Sequence, residues 1–377
     1  MNAPARPLRI LMVDSERTWR GGQAQVFLLM RGLVDAGQDV TLAAPADGAL
    51  YARAAELNVN RKAWPGRTGI ASLVVLRAML GGGRFDIVHS HASRAHGGVA
   101  LARVGAGGGP PHVVSRRVDF PVGGTPWGRW KYRRGADAYI AISNGVRDVL
   151  IDGGVDARVI TVVPSGIDRA KFALVRDPAY LRTEFRLPET RRVIVNVAAL
   201  APHKAQSVLL QSMQSLRGRR DVHCFIVGEG ALRSPLEQMT RELGVEGCVT
   251  FTGFRHDALE FIRLADVFVM SSRLEGLGTS IMDAHALGAA VVATRTGGIP
   301  ELVEDGVTGV LVPPGQPDAL GAAVARMLDD AALRERCVRM GKAQSERYDY
   351  RHTVYKTLDV YRRLCHVHAP LEGNSTR

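Results

Sequence analysis

Residues 271–315 carry the pattern most suited to chemistry, a run of glycines flanked by carboxylates. Glu275 is followed by Gly276 and Gly278, and a segment of helical length begins near Thr279. Because glycine has no Cβ, the backbone at these positions can approach a ligand and point N–H groups at it. The start of a helix adds partial positive charge at the same place. The segment therefore predicts a site for a pyrophosphate group.

A second carboxylate, Asp283, lies eight residues after Glu275 and about one turn into the expected helix. Both carboxylates can then face one cleft and accept hydrogen bonds from vicinal hydroxyls, as on a ribose or a hexose. An acidic residue at such a position more often belongs to a solvated helix face. The glycines around this pair favour the binding-site interpretation.

Lys204 is a candidate cation for the same anion, because it follows another strand candidate within residues 195–213. Open parallel sheets bind ligands beyond the carboxyl ends of their strands, so a lysine there can balance a diphosphate. Taken alone, a lysine in a turn is more often a surface residue. Gly228 and Gly230 also end a strand, but the third glycine of a dinucleotide fingerprint is replaced by Arg233.

Two strand ends in the first half of the chain carry further candidates. Gly21 and Gly22 follow the first strand and open a helix, although a flexible turn is an equally good interpretation. His89 and His91 flank the end of another strand, and strand alternation places both on the same face. A histidine at a strand end is more often structural than catalytic, so the pattern alone does not assign either role.

Short runs rich in valine and isoleucine alternate with amphipathic segments of helical length, which predicts βαβ units with parallel sheets. The same alternation of apolar runs and helical segments starts again in the second half. The predicted fold class is therefore α/β, with two doubly wound Rossmann-like domains that face each other across a cleft. The predicted strands are 8–14, 39–45, 86–91, 112–117, 138–143 and 159–164, then 193–200, 223–230, 248–253, 267–272, 289–295 and 309–314.

The length of 377 residues is suited to two domains. We predict an N-terminal domain in residues 1–175 and a C-terminal domain in residues 189–346. Residues 168–192 are polar and contain two prolines, which indicates a linker. Residues 347–377 contain a last helix with no strand left to cover in the second domain, so we expect it to pack on the first domain, followed by a tail.

The segment 271–315 resembles the retaining glycosyltransferases of family 4, which have the GT-B fold. Their pattern is a Glu, seven residues, a second Glu and then a Gly-Gly-Xaa-Pro-Glu turn. The chain departs from it at Asp283, one methylene shorter than Glu, and at Ala199, where the family has an arginine that His203 or Arg273 would replace. The matching residues are Glu275, Gly276, Gly297, Gly298, Pro300 and Glu301.

The resemblance implies that the C-terminal domain binds a nucleoside-diphosphate sugar as co-substrate and that the N-terminal domain lies on the acceptor side. Glu275 would contact the transferred sugar, Asp283 the nucleoside ribose and Lys204 the diphosphate. His91 is the better match to the family's histidine near the transferred sugar, so the catalytic residues would be Glu275, His91 and Lys204. The donor-binding residues would be Gly21, Gly22, Lys204, Gly228, Gly230, Glu275, Gly276, Leu277, Gly278, Thr279 and Asp283.

The expected reaction moves a hexose-type sugar to a hydroxyl of a saccharide or lipid-linked acceptor, with retained anomeric configuration, in cell-envelope polysaccharide or lipopolysaccharide synthesis. The sequence contains neither an Asp-x-Asp triplet nor a His/Cys cluster, so we expect no metal site and no cofactor. A sugar-nucleotide epimerase of the same fold is the alternative. The broken glycine pattern disfavours a Rossmann-type oxidoreductase, and the aligned glycines and carboxylates disfavour a purely structural protein.

The net charge of +12 is unevenly distributed, which predicts an anionic partner for one half of the chain. Residues 1–188 contain 26 Lys+Arg and 15 Asp+Glu, whereas residues 189–377 contain 23 and 22. Trp127–Arg134 interleaves aromatic and basic residues, as at an anionic membrane surface, although a helix with buried aromatics is equally compatible. We expect no nucleic-acid partner, and a cytoplasmic location that includes peripheral attachment to the inner face of the cytoplasmic membrane.

Overall fold

The computed structural model describes residues 6–67, 69–105, 109–216, 218–219 and 221–367. These residues form two compact units. The first unit runs to Gly166 and includes the chain again from Tyr350, and the second unit is Ile167–Asp349.

Strands and helices alternate along both units. The strands are β1 (Arg9–Val13), β2 (Asp39–Ala44), β3 (Asn60–Ala63), β4 (Ile87–Ser90), β5 (His112–Arg116), β6 (Ala138–Ala141), β7 (Ile160–Val162), β8 (Arg192–Val197), β9 (Val222–Val227), β10 (Val249–Gly253), β11 (Val267–Met270), β12 (Ala290–Thr294) and β13 (Val310–Val312). The α-helices are α1 (Gly21–Asp35), α2 (Ala49–Arg53), α3 (Ile70–Leu80), α4 (Ser93–Arg103), α5 (Pro126–Arg134), α6 (Asn144–Asp152), α7 (Ala179–Glu184), α8 (Gln206–Ser215), α9 (Arg233–Glu242), α10 (Ala258–Leu264), α11 (Thr279–Leu287), α12 (Ile299–Leu302), α13 (Pro317–Asp329), α14 (Ala331–Ser345) and α15 (Tyr350–Val367).

Each unit contains one parallel sheet within the described residues. The strand order is β3-β2-β1-β4-β5-β6-β7 in the first unit and β10-β9-β8-β11-β12-β13 in the second. The order reverses between β1 and β4 and between β8 and β11, and an open sheet of this kind binds ligands beyond the strand ends at such a point. The topology confirms the predicted α/β, doubly wound class.

Strand β1 shows how the apolar runs build the core of the first unit. Ile10 and Met12 pack with α1 and α15 on one face of the sheet. Leu11 and Val13 pack with α3 and α4 on the other face. A parallel strand that is buried on both faces reads as a continuous apolar run, which is why these strands are predictable from sequence.

Every predicted strand corresponds to a strand in the structure, but most predictions run one or two residues past the strand end, and two run three residues past it. Residues 198–200 and 228–230, which the predicted strands include, lie in the loops after β8 and β9. β3 is missing from the prediction. Its residues are all exposed and mostly polar, because it lies at the edge of the sheet, and it therefore carries no apolar pattern.

The prediction of a linker at 168–192 is wrong, because these residues fold as part of the second unit. They include α7, whose Leu181 is fully buried. The polar residues that suggested a linker are paired within the unit: Arg176 forms an ion pair with Glu260, and the Tyr180 hydroxyl donates to Asp257 at 2.5 Å. The unit boundaries accordingly fall at 166/167 and 349/350, rather than near 175, 189 and 346.

The last helix, α15, belongs to the first unit although it lies at the other end of the chain. Val354 and Leu358 are buried in the core that β1 and α1 share. Gly32 on α1 permits this close packing, since a Cβ there would lie 2.4 Å from Val354 Cγ2. Thr353 Oγ1 also donates to the carbonyl of Pro164 at 2.7 Å. The predicted tail, residues 368–377, lies outside the described residues.

Candidate active site

The two strongest candidates from the sequence meet at the reversal point of the second sheet. Lys204 lies in a 3₁₀ turn after β8, and Glu275 lies in the loop after β11. The Lys204 ammonium forms an ion pair with Glu275 Oε2, and both side chains are mostly buried, with 18% and 11% exposure. A cation and a carboxylate are therefore held together where this fold binds ligands.

Backbone contacts fix the loop of Lys204 against the loop of Glu275. Ser271 Oγ donates to the carbonyl of Lys204 at 3.1 Å, and the Arg273 amide donates to the carbonyl of His203 at 2.8 Å. Ala205, which ends the turn, has a left-handed conformation with φ +48° although it is not glycine. Such a conformation costs free energy unless the surroundings impose it, and it often accompanies a functional site.

The Gly-Gly turn after β12 supports Glu275 from the other side. The amide of Gly298 donates to the carbonyl of Glu275 at 3.0 Å. Ser272 Oγ donates to Glu275 Oε2 at 3.2 Å, and Thr294 Oγ1 donates to the carbonyl of Ser272 at 2.6 Å. The turn that carries the family resemblance therefore has a physical role in the structure, which is to position the backbone of Glu275.

The loop after Glu275 leads directly into α11. Gly278 has φ +91°, a left-handed conformation that favours glycine, and it precedes the first helical residue, Thr279. Within the described residues, no side chain caps this helix N-terminus. Leu277 is 2% exposed and belongs to the core, so only its backbone can face a ligand. Gly276 is also buried, in the same loop.

Asp283 lies on α11 as predicted, but its nearest cation was not predicted. Lys171 Nζ lies 2.6 Å from Asp283 Oδ1. Burial raises the pKa of Asp283 above its usual value, and the Lys171 ammonium opposes that shift. Lys171 lies in the segment that the sequence indicated as a linker, so no signal pointed to it.

Gly228 and Gly230 have a packing role. A Cβ on Gly228 would lie 2.0 Å from the carbonyl oxygen of Ala198, and one on Gly230 would lie 2.2 Å from that of Leu200. The Leu200 amide donates to the carbonyl of Glu229 at 2.9 Å. Both glycines thus allow the turn after β9 to pack against the loop after β8, and their contact with a donor stays a prediction.

In the first unit, both predicted histidines are buried at the end of β4. His91 is 7% exposed, and neither of its ring nitrogens has a hydrogen-bond partner among the described residues. Burial lowers the pKa of His91 well below its usual value, and the neighbouring His89 and Arg117 add to that effect. A neutral imidazole with both nitrogens available can donate or accept a hydrogen bond.

Sequence reasoning missed two charged residues at the same sheet edge. Asp14 directly follows β1, and its carboxylate accepts from the Glu16 amide at 2.7 Å. Burial raises the pKa of Asp14 to about 6. Arg117 directly follows β5, and burial lowers its pKa to about 10, with the charge of Asp14 opposing the shift. Neither residue belongs to a spacing pattern that the sequence could show.

Gly21 and Gly22 begin α1, which follows β1. A Cβ at Gly22 would meet no atom within 4 Å, so packing does not require glycine there. Packing therefore does not explain why residue 22 is glycine. That Gly21 and Gly22 face a ligand stays a prediction. Within the described residues, no group of three or more His, Cys, Asp or Glu is arranged to bind a metal ion.

The predicted membrane patch, Trp127–Arg134, is helix α5, and only part of it is surface. Lys131 and Tyr132 are buried, whereas Trp127 is 45% exposed and stacks on Trp130 with ring centroids 5.0 Å apart. The buried half agrees with the interpretation that some of the aromatic residues belong to the core. No helix in the described part of the chain has both the length and the apolar character to cross a bilayer.

Two family models match this chain. The model described as "Glycosyl transferases group 1" matches residues 180–344, and the model described as "Glycosyltransferase Family 4" matches residues 19–171. Each unit of this chain therefore matches a glycosyltransferase family model. The match to the second unit contains Lys204, Glu275 and Asp283.

Curated relatives of this chain are named as sugar transferases. It is 30% identical over 228 residues to the lipopolysaccharide core biosynthesis glycosyltransferase LpsE of Rhizobium meliloti, covering 60% of this chain and 63% of the relative. It is 35% identical over 225 residues to a GDP-mannose-dependent alpha-(1-6)-phosphatidylinositol monomannoside mannosyltransferase of Mycobacterium tuberculosis, covering 56% and 57%. The matches thus span about three fifths of these relatives.

Solved glycosyltransferase structures share the fold of this chain. Anabaena HepE, in complex with UDP and glucose, superposes with a TM-score of 0.82 at 21% identity, over 94% of this chain and 100% of that one. WaaG, a glycosyltransferase involved in lipopolysaccharide biosynthesis, superposes with a TM-score of 0.73 at 14% identity, over 93% and 99%. The chain therefore has the GT-B fold of two Rossmann-like units.

Proposed function

We propose that this chain is a retaining, metal-independent glycosyltransferase that moves a sugar from a nucleoside diphosphate to a hydroxyl of a saccharide or lipid-linked acceptor. The observation that carries the proposal is the pairing of Lys204 with Glu275 at the reversal point of the second sheet. A pocket for a sugar diphosphate needs a cation for the phosphates and an acceptor of hydroxyl hydrogen bonds beside it. These two side chains supply both.

The charge of the departing diphosphate would be stabilised by fixed groups of the second unit. Lys204 supplies a full positive charge, and the loop Gly276–Gly278 with the start of α11 supplies backbone amides and partial positive charge. Asp283 accepts hydrogen bonds from the nucleoside ribose, in exchange for its contact with Lys171. These groups provide the stabilisation without a metal ion.

The transfer itself needs no basic side chain. The acceptor oxygen forms a bond to the anomeric carbon on the face from which the diphosphate oxygen leaves, so the configuration is retained. The proton of the acceptor hydroxyl passes to the leaving phosphate oxygen, and the electrons of the broken bond stay with that oxygen. Glu275 positions the sugar by hydrogen bonds during this step, and His91 is the catalytic residue that we propose in the first unit.

The acceptor that we propose is a saccharide on an anionic lipid, in cell-envelope synthesis at the cytoplasmic membrane face. Two observations support it. The relatives' names include a lipopolysaccharide core glycosyltransferase and a phosphatidylinositol monomannoside mannosyltransferase. Residues 57–136 of the first unit contain 13 Lys+Arg and 2 Asp+Glu, a charge balance suited to an anionic partner.

The exposed side chains of the first unit also suit a membrane surface. α3 exposes Ile70 by 85% and Val74 by 58%, and α5 exposes Trp127 by 45%. Both helices pack on α4, whose C-terminal end exposes Val104 by 51%. Apolar side chains on a basic surface insert at the headgroup boundary while the cations attract anionic lipid.

Substitution of Glu275 by Ala tests the proposed activity. We expect turnover to fall on the order of 100-fold, because one preorganised contact to the reacting sugar is lost. Circular dichroism should show that the variant still folds, although the loss of one member of a mostly buried ion pair lowers its melting temperature. The control is Glu335→Ala, which removes an exposed carboxylate from α14 of the same unit and should transfer sugar normally. A Glu275→Ala enzyme with normal turnover would remove this residue from the site.

Co-sedimentation with vesicles tests the membrane proposal. Binding should increase when phosphatidylglycerol is added to phosphatidylcholine, and it should weaken in the double variant Ile70→Ser, Val74→Ser. Phe254→Ser is the matched control, because Phe254 is 62% exposed but lies in the second unit. Binding that ignores the content of anionic lipid would contradict the proposal.

A further inference from the structure

His89 is held by two hydrogen bonds inside the first unit. Its Nδ1 lies 2.5 Å from the hydroxyl of Tyr361, and its Nε2 lies 2.8 Å from Ser115 Oγ. His89 and Tyr361 are both 0% exposed. Tyr361 lies on α15, so a residue near the end of the chain contacts the strand end that carries His91.

The environment of Tyr361 decides which nitrogen of His89 carries the proton. Burial raises the pKa of the Tyr361 hydroxyl, so it stays protonated. Its only hydrogen bond among the described residues is the one to His89 Nδ1. A buried hydroxyl that failed to donate would leave its proton unsatisfied, which is costly. Tyr361 therefore donates to Nδ1, and the proton of His89 lies on Nε2, which donates to Ser115 Oγ.

His91 in turn depends on His89 for its position. The two imidazole rings are in contact, with centroids 4.0 Å apart and planes tilted by 42°. No hydrogen bond from a described residue fixes the His91 ring, although its backbone amide donates to the carbonyl of Val13 at 3.0 Å. Packing against a fixed neighbour is thus what orients this side chain.

We infer that Tyr361 is a positioning residue, which fixes His89 as the Nε2-protonated tautomer and thereby orients His91, the catalytic residue proposed in the first unit. The inference rests on the proposed function for the role of His91, and on the geometry alone for the link between Tyr361 and His89. It assigns to α15 a function beyond core packing. The two parts can be tested separately.

A spectroscopic experiment tests the link between Tyr361 and His89. In ¹⁵N-labelled full-length protein, the two ring nitrogens of His89 should give well-separated signals, identified by their loss in His89→Gln. In Tyr361→Phe the hydroxyl donor is gone, so the Nδ1 and Nε2 signals should move toward each other as both tautomers become populated. Tyr355→Phe is the matched control, because Tyr355 lies on the same helix but is 59% exposed. Unchanged His89 signals in Tyr361→Phe would overturn the inference.

A transfer assay tests the consequence for catalysis. In Tyr361→Phe we expect kcat to fall by about ten-fold while KM for the donor stays constant, because one buried hydrogen bond of the first unit is lost and the donor site of the second unit is intact. Tyr355→Phe should match the wild type in both values. An unchanged kcat alongside altered His89 signals would overturn the role of His91 orientation.

Two further results distinguish failure of the inference from failure of the proposed function. If Tyr361→Phe fails to fold, Ser115→Ala removes the partner of the other nitrogen and should lower kcat in the same way; a normal kcat there would also overturn the inference. If the wild-type chain transfers no sugar from any donor, the proposed function fails, and the catalytic part of the inference fails with it. The ¹⁵N signals would then still decide whether Tyr361 fixes His89.

Discussion

The charge state of Asp14 depends on folding. It is 0% exposed and lies directly after β1, near the buried guanidinium of Arg117. Burial raises its pKa from 3.8 to about 6, although the Glu16 amide and the Gln23 side chain oppose that shift. The folded chain therefore binds a proton at Asp14 over a pH range in which the unfolded chain has already lost it.

The pH dependence of stability follows from that difference. A carboxyl with a raised folded pKa contributes stability at low pH, and this is lost as the pH rises from about 4 to about 6. We expect Asp14→Asn to lose this dependence, so its free energy of unfolding should gain up to about 3 kcal/mol relative to the wild type between pH 4 and pH 7. Urea titrations at both pH values measure the change. A constant difference between the two proteins would contradict it.

The candidate residues of the site could be selected from the sequence where they belong to a spacing pattern. Glu275 and Lys204, 71 positions apart, were both selected from their place after a strand, and the structure brings them together. Asp14, Arg117 and Lys171 were not selected, because a single charged residue after a strand or in a polar segment carries no pattern. Their roles follow from tertiary burial and from partners that are distant along the chain.

At the scale of the elements, buried parallel strands were predictable and edge or connecting segments were not. A strand covered on both faces must be a continuous apolar run, whereas β3 buries little and reads as a loop. The polar residues of 168–192 suggested a linker. The sequence does not show that they pair with partners such as Glu260 and Asp257, which lie far along the chain.

The loop after β8 depends on the two glycines that follow β9. We expect Gly228→Ala to destabilise the protein by about 1 to 3 kcal/mol and to weaken binding of a nucleoside diphosphate, because its Cβ would clash with a carbonyl of the loop that precedes Lys204. Gly247→Ala is the control, since a Cβ there meets no atom within 4 Å. Chemical denaturation and calorimetry measure the two effects. Equal stability of the two variants would show that the loop tolerates the clash.

At the scale of the whole molecule, the first unit is built from both ends of the chain. α15 completes the core around β1 and α1, and Tyr361 contributes to the surroundings of His89. The number of units and their Rossmann-like character were predictable from the repeated rhythm of strands and helices. The boundaries at 166/167 and 349/350 were not, because they depend on which unit each connecting segment packs against.

Truncation of a core residue of α15 tests whether the donor site depends on the second unit alone. Leu358→Ala should destabilise the first unit by about 2 to 5 kcal/mol, because Leu358 is 2% exposed and a cavity would remain. Binding of a nucleoside diphosphate should be unchanged, since the proposed donor site lies in the second unit. Tyr355→Ala, from the exposed side of the same helix, should change neither property. Loss of nucleotide affinity in folded Leu358→Ala would show that donor binding also depends on the first unit.

In the proposed function, the second unit binds a diphosphate through Lys204 and the amides that follow Glu275. Isothermal titration calorimetry of the full chain with UDP, GDP and ADP tests it most directly, with Lys204→Met as the variant and Lys342→Met, from the exposed side of α14, as the control. We expect at least one nucleoside diphosphate to bind, and we expect Lys204→Met to weaken its binding by on the order of ten-fold while Lys342→Met does not. No binding of any nucleoside diphosphate, or equal affinity in Lys204→Met, would contradict it.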